Sequence, residues 1–102
     1  MLRSLVLSDK AKAELGAAKR WLRQPGAGIR AAARLRRIAE ALSDLRRHPC
    51  RWPESEHRGV RERSIEGYRI LYEVTPDTGR DATAGDVHVL RVFGPHQDRS
   101  DI

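Results

Sequence analysis

Residues 61–74 read RERSIEGYRILYEV, and where this stretch turns decides the fold. Gly67 interrupts two runs of strand-forming residues, and a glycine so placed folds the chain back as a hairpin, with strands over 60–65 and 68–74. Alternate residues of a strand face opposite ways, so Tyr68, Ile70, Tyr72 and Val74 make one apolar face and Arg69 points away from it. The same stretch sets Arg61, Arg63 and Arg69 beside or within a core strand. Small domains ordinarily keep charge away from such a strand, so the arginines need an explanation.

Working outward, residues 2–7, LRSLVL, form a short apolar run that reads as a first strand. Ser8 is a good N-cap for a helix after that strand, with Asp9 in its first turn complementing the helix dipole. Ala11, Leu15, Ala18 and Leu22 recur at helical spacing to about residue 22. QPGAG then breaks the helix. A second helix runs from about residue 27 to 47, its seam made by Leu35, Ile38, Leu42 and Leu45 with Ala32 and Ala39, and Pro49 closes it. So short a turn makes the two helices an antiparallel hairpin. Arg36, Glu40 and Arg47 fall on its outward, solvated face.

HPCRWPESEHRG, residues 48–59, is a loop, and TPDTGRDATAGD, residues 75–86, is a long polar connection to a last strand at 87–93. The order is βααβββ. This is an α+β domain, with the helical hairpin packed on one face of a small antiparallel sheet. The other face is left open, and Arg69 points to it.

The 102 residues suffice for one domain, residues 1–102, and one modest core. Lys and Arg outnumber Asp and Glu by 20 to 14, giving +6, and nearly all the cations are arginine. A planar guanidinium suits bidentate binding of phosphate or carboxylate, so the charge points to nucleic acid or to an acidic protein, with plain solubility as the simpler explanation. A single cysteine, Cys50, excludes an internal disulfide and suggests a reducing compartment. No local base activates it, so an inert thiol is expected. The N-terminal apolar run is too short for a signal peptide and nothing is long enough to span a membrane, which predicts a cytoplasmic protein. His48, Cys50, His57 and His96 lack metal-ligand spacing, so neither metal nor cofactor is expected.

The short first strand, the alanine-rich helical hairpin, the loop after HP, GYRILYEV and the closing VHVLRVFGPHQDR together resemble the RelE/ParE superfamily of toxins from bacterial toxin–antitoxin pairs. The resemblance runs nearly end to end. It implies a toxin silenced by a cognate antitoxin segment that wraps over it, and the basic, partly apolar open sheet face calls for that segment to be acidic and amphipathic. RelE-like members cut messenger RNA, usually on the ribosome, whereas ParE-like members bind and poison DNA gyrase without catalysis.

On the RelE-like reading the chain is a metal-independent endoribonuclease, and this is the expectation the sequence favours. Cleavage by the ribose 2′-hydroxyl needs a base, cations for the phosphate's charge and an acid for the leaving oxygen. Arg69 matches the strand arginine of RelE-like nucleases. Glu54 in PESE, with Glu56 as fallback, and His96 just past the last strand match the loop glutamate and C-terminal histidine of one subgroup. Arg61 and Arg63 share a strand face and are candidates to hold substrate phosphates. Trp52 either stacks on a base or plugs one edge of the core. Arg91 either contacts substrate or pairs across the sheet with Glu73. This chain has arginines where RelE carries paired lysines, and no aromatic after Phe93. On the ParE-like reading Arg69 and Arg91 are structural or antitoxin-facing, and the helical hairpin meets gyrase.

Overall fold

A computed structural model describes residues 3–95, which form β1 (Leu5–Leu7), α1 (Asp9–Arg23), α2 (Gly28–Arg47), β2 (Arg61–Ile65), β3 (Tyr68–Thr75) and β4 (Asp86–Phe93). Helix α1 starts where its cap dictates. The Ser8 hydroxyl accepts from the Ala11 N–H at 3.0 Å, and it donates to the Leu90 carbonyl at 2.6 Å, tying the helix start to β4. Gln24 ends α1, and α2 begins four residues on at Gly28.

The strands lie in the order β1-β4-β3-β2. Strands β2, β3 and β4 are the expected antiparallel meander, but β1 lies parallel to β4, with Leu5 opposite Val87 and Leu7 opposite Val89. The sheet is therefore mixed. A parallel neighbour requires a long crossover, and the intervening hairpins of helix and strand supply it.

The β2–β3 turn has only two residues, Glu66 and Gly67, with φ of 52° and 80°. Positive φ at both positions is the geometry that matches the twist of paired strands. It locks the register at Ile65 opposite Tyr68, Arg63 opposite Ile70 and Arg61 opposite Tyr72. On the far side of β3 the register slips, with Leu71 opposite Arg91 and Tyr72 opposite Val89, so Leu90 is an extra residue.

The main core lies between helices and sheet. Ala11, Ala18 and Leu22 of α1 and Ile38, Ala41, Leu42 and Leu45 of α2 meet Tyr68, Ile70, Tyr72 and Val74 of β3 and the valines of β4. The expected inward tyrosine face is confirmed. The opposite sheet face is less bare than expected. Val60, Leu71 and Phe93 form a second buried cluster there, with Leu90 packed against it. The loop beside β2 is stitched to it by Ser55 N–H to the Val60 carbonyl, 2.7 Å, and Glu62 N–H to the Pro53 carbonyl, 3.0 Å.

Candidate functional site on the open face of the sheet

Arg69 sits opposite Ser64 on the face away from the helices, as strand alternation requires. It is 40% exposed, and its guanidinium lies 2.8 Å from Glu62 of the neighbouring strand. Both line a cavity of about 550 Å³ together with Ser64, Trp52, Glu54 and Glu56. The structure thus brings together three of the expected site residues, Arg69, Glu54 and Trp52. Glu54 is held in place as its Oε1 accepts from the Gly59 N–H at 3.1 Å. The balance of charge is the reverse of a polyanion site: three carboxylates face one guanidinium. A phosphate entering it meets repulsion that a single arginine, already paired, does not offset.

Arg61 and Arg63 lie elsewhere. They are opposite Tyr72 and Ile70, so they share the helix-side face and not the face of Arg69. Arg61 grips Asp77 with two hydrogen bonds, of 2.8 and 3.0 Å, and donates to the Trp52 carbonyl at 2.6 Å. Arg63 donates to the Ala41 carbonyl at 3.1 Å, lies 3.6 Å from Asp44, and stacks on Trp52 with its guanidinium 4.1 Å from the ring centroid. Trp52 is thereby a bracket between the loop and β2, with Arg51 5.8 Å from the same ring. The expected cross-strand pair of Arg91 with Glu73 is also replaced. Glu73 faces His88, and Arg91 binds Glu14 of α1 at 2.7 Å while stacking over Phe93 at 4.4 Å. Arg91 lies opposite Leu71, two residues along β3 from Glu73, so the two are not cross-strand partners. His96 lies outside the described residues.

Glu14, Glu62 and Asp77 are among the partners that sequence reasoning missed, as is Asp44 beside Arg63. Each carried a signal. Glu14 falls three residues after Ala11 and four before Ala18, a carboxylate on the margin of the buried helix stripe. Glu62 alternates with Arg61 and Arg63, and so belongs to the opposite face, which is the face of Arg69. The two-residue turn alone puts Arg61 and Arg63 on the core side, because residues flanking such a turn pair directly.

The Arg61 side chain, by hydrogen bonding, holds the Asp77 carboxyl below its ordinary value, against the opposing effect of partial burial. A carboxyl depressed in the folded state contributes stability that is present above its unfolded value, near pH 4, and lost as pH falls through the folded value. Asp77→Asn is therefore expected to flatten the fall in stability on acidification below about pH 4, as read by denaturant unfolding across pH. Burial, with Asp77 next, pushes the Cys50 thiol up, away from reactivity.

A second cavity, of about 500 Å³, runs between α1 and α2. It is apolar, walled by Leu15, Ala32, Leu35, Ala39 and Leu42, with Lys19, Arg23 and Arg36 also lining it. Among the described residues, no group of three or more His, Cys, Asp or Glu is placed to hold a metal ion, and no helix is long and apolar enough to cross a membrane.

Two solved structures share this architecture. A chain described as the chromosomal ParDE toxin–antitoxin system from P. aeruginosa superposes with a TM-score of 0.65 at 21% identity, covering 91% of this chain and 96% of that one. A chain of the toxin–antitoxin complex RelBE2 from Mycobacterium tuberculosis gives 0.60 at 20% identity, covering 92% and 99%. No curated protein sequence matches. Residues 5–99 match the family model described as the ParE toxin of the type II toxin–antitoxin system parDE. With the βααβββ fold in place and that match spanning nearly its whole length, the chain belongs to the ParE toxin family of type II toxin–antitoxin systems.

Proposed function

We propose that this toxin acts as a non-enzymatic inhibitor of DNA gyrase and that a cognate antitoxin neutralises it. One observation carries the reading: the guanidinium groups that a ribonuclease would aim at a phosphate are already committed. Arg61, Arg63 and Arg91 hold Asp77, Asp44 and Glu14, and Arg69 is paired with Glu62 inside an acid-lined cavity. An inhibitor that works by docking needs no phosphate clamp. The antitoxin's acidic amphipathic segment fits the cavity of the helical hairpin better than the sheet face, because there apolar walls and three cations coincide. The rival ribonuclease reading draws on the meeting of Glu54, Trp52 and Arg69 at one cavity.

Purified toxin is expected to stop gyrase supercoiling, and induced cells to accumulate gyrase-linked DNA breaks while messenger RNA stays intact. Arg69→Ala should change the inhibition by less than about fivefold, since an exposed ion pair contributes at most about 1 kcal/mol. Messenger RNA cleavage that Arg69→Ala abolishes would reverse the conclusion in favour of the ribonuclease.

A further inference from the structure

The distribution of charge along the chain is far from even. Residues 15–39 hold seven of the twenty Lys and Arg and none of the fourteen Asp and Glu. The remainder, thirteen cations against fourteen acids, is close to neutral. The entire excess of the protein therefore sits on the distal half of the helical hairpin, at Lys19, Arg20, Arg23, Arg30, Arg34, Arg36 and Arg37. Arg34 and Arg37 reach back to Glu66 at the β2–β3 turn, at 3.0 and 2.6 Å. The other five are exposed, and among the described residues none of them stands in an ion pair. Two apolar side chains are exposed with them, Trp21 at 64% and Ile29 at 89%.

We infer that this hairpin tip is a contact surface for the phosphate backbone of duplex DNA. The inference rests on the gyrase reading, because gyrase works on duplex DNA and a toxin docked to it lies close to that duplex. Three physical points favour a duplex. First, the cations are not confined to one groove: Lys19, Arg23 and Arg36 line the inter-helix cavity, whereas the exposed Arg20 and Arg30 lie outside that lining. Charge spread beyond that groove suits a broad, rigid array of phosphates. Second, four of these five are arginine, whose planar fork binds phosphate oxygens in pairs. Third, single-stranded nucleic acid is held by rows of aromatic platforms, and the tip offers one aromatic, Trp21. Trp21 and Ile29 add apolar contact beside the cations. Nothing here reads base edges, so the binding is independent of sequence.

The test uses the full chain alone, without gyrase, and a fluorescent duplex of about 30 base pairs. Neutralising about four phosphates gives a slope of log K against log salt near −3.6, a loss of about 100-fold between roughly 50 and 200 mM salt. Arg20→Glu with Arg30→Glu is expected to weaken binding at least about 10-fold and to flatten the slope by about two. Arg58→Glu with Arg80→Glu, the same change of net charge at exposed positions elsewhere, should weaken it less than about threefold. A single strand of equal length should bind more weakly than the duplex. Equal loss from both variant pairs, with circular dichroism showing both folded, would overturn the inference, as would tighter binding of the single strand. Binding of poly-glutamate but not of duplex would make the tip a docking surface for an acidic protein and overturn it too. If duplex does not bind and supercoiling is still inhibited, this inference falls while the gyrase reading stands. Duplex binding without inhibition does the reverse: the tip keeps its role and the gyrase reading falls.

Discussion

Glu14→Ala is expected to lower the unfolding free energy by about 3 kcal/mol, the range for stripping one partner from a largely buried ion pair. The Glu14 and Arg91 side chains are only 13% and 17% exposed. The carboxylate does two jobs at once. It takes the Arg91 guanidinium through both oxygens, and its Oε1 accepts the Val92 N–H at 2.9 Å. Beyond Val89 strand β4 has no further pairing with β1, so Glu14 supplies the acceptor that a neighbouring strand would have supplied. Removing it takes this carboxylate from Arg91 and leaves the Val92 N–H without its acceptor where water reaches poorly. Glu14→Gln keeps an acceptor for Val92 and should cost about half as much. Urea unfolding of the two variants measures the difference; a change below about 0.5 kcal/mol for Glu14→Ala would mean that water replaces the carboxylate without loss.

Gly85→Ala is expected to be as severe or worse, by about 3 kcal/mol or more, for a steric reason. A Cβ at that position would lie 1.9 Å from the Thr75 carbonyl oxygen and 2.4 Å from Pro76 Cδ. Backbone cannot swing aside as a side-chain tip can. The Gly85 N–H also donates to the Pro76 carbonyl at 2.9 Å, closing the base of the β3–β4 connection. Opening that base displaces Asp77 and Asp81, the first of which holds Arg61 while the second accepts the Cys50 N–H at 2.8 Å and meets His48 at 3.2 Å. A chain of this size loses about 4–8 °C of Tm per kcal/mol, so a drop beyond about 12 °C should be seen by thermal unfolding. Gly79→Ala is the contrast. It has open space around it but a φ of 77°, so a strain of only about 1 kcal/mol is expected.

These two residues also show why a cluster of arginines beside a core strand was hard to read as a sequence. A guanidinium looks alike in one dimension whether it waits for a ligand or is already held by a carboxylate. The holders of Arg61 and Arg91, Asp77 and Glu14, lie 16 and 77 residues away along the chain. Composition registers the surplus of positive charge but says nothing of how it is shared between latches and open surface. Here the latches surround the sheet, and the surplus is displaced to the helical hairpin.

Local physics alone was enough for the order of elements. Apolar periodicities of 3.6 and 2, a serine cap, a breaker of proline and glycines, and a glycine turn each act within a few residues, and each element formed where those signals put it. They also placed Arg69 on the face away from the core, since alternation within one strand is a local property. The parallel seat of β1, the slip at Leu90, and the partners of Arg61, Arg63 and Arg91 came only with tertiary structure. Those depend on which distant segments the core brings within hydrogen-bonding range. Ion pairing acts over a few ångströms in space and is blind to separation along the chain, so no window of sequence contains it.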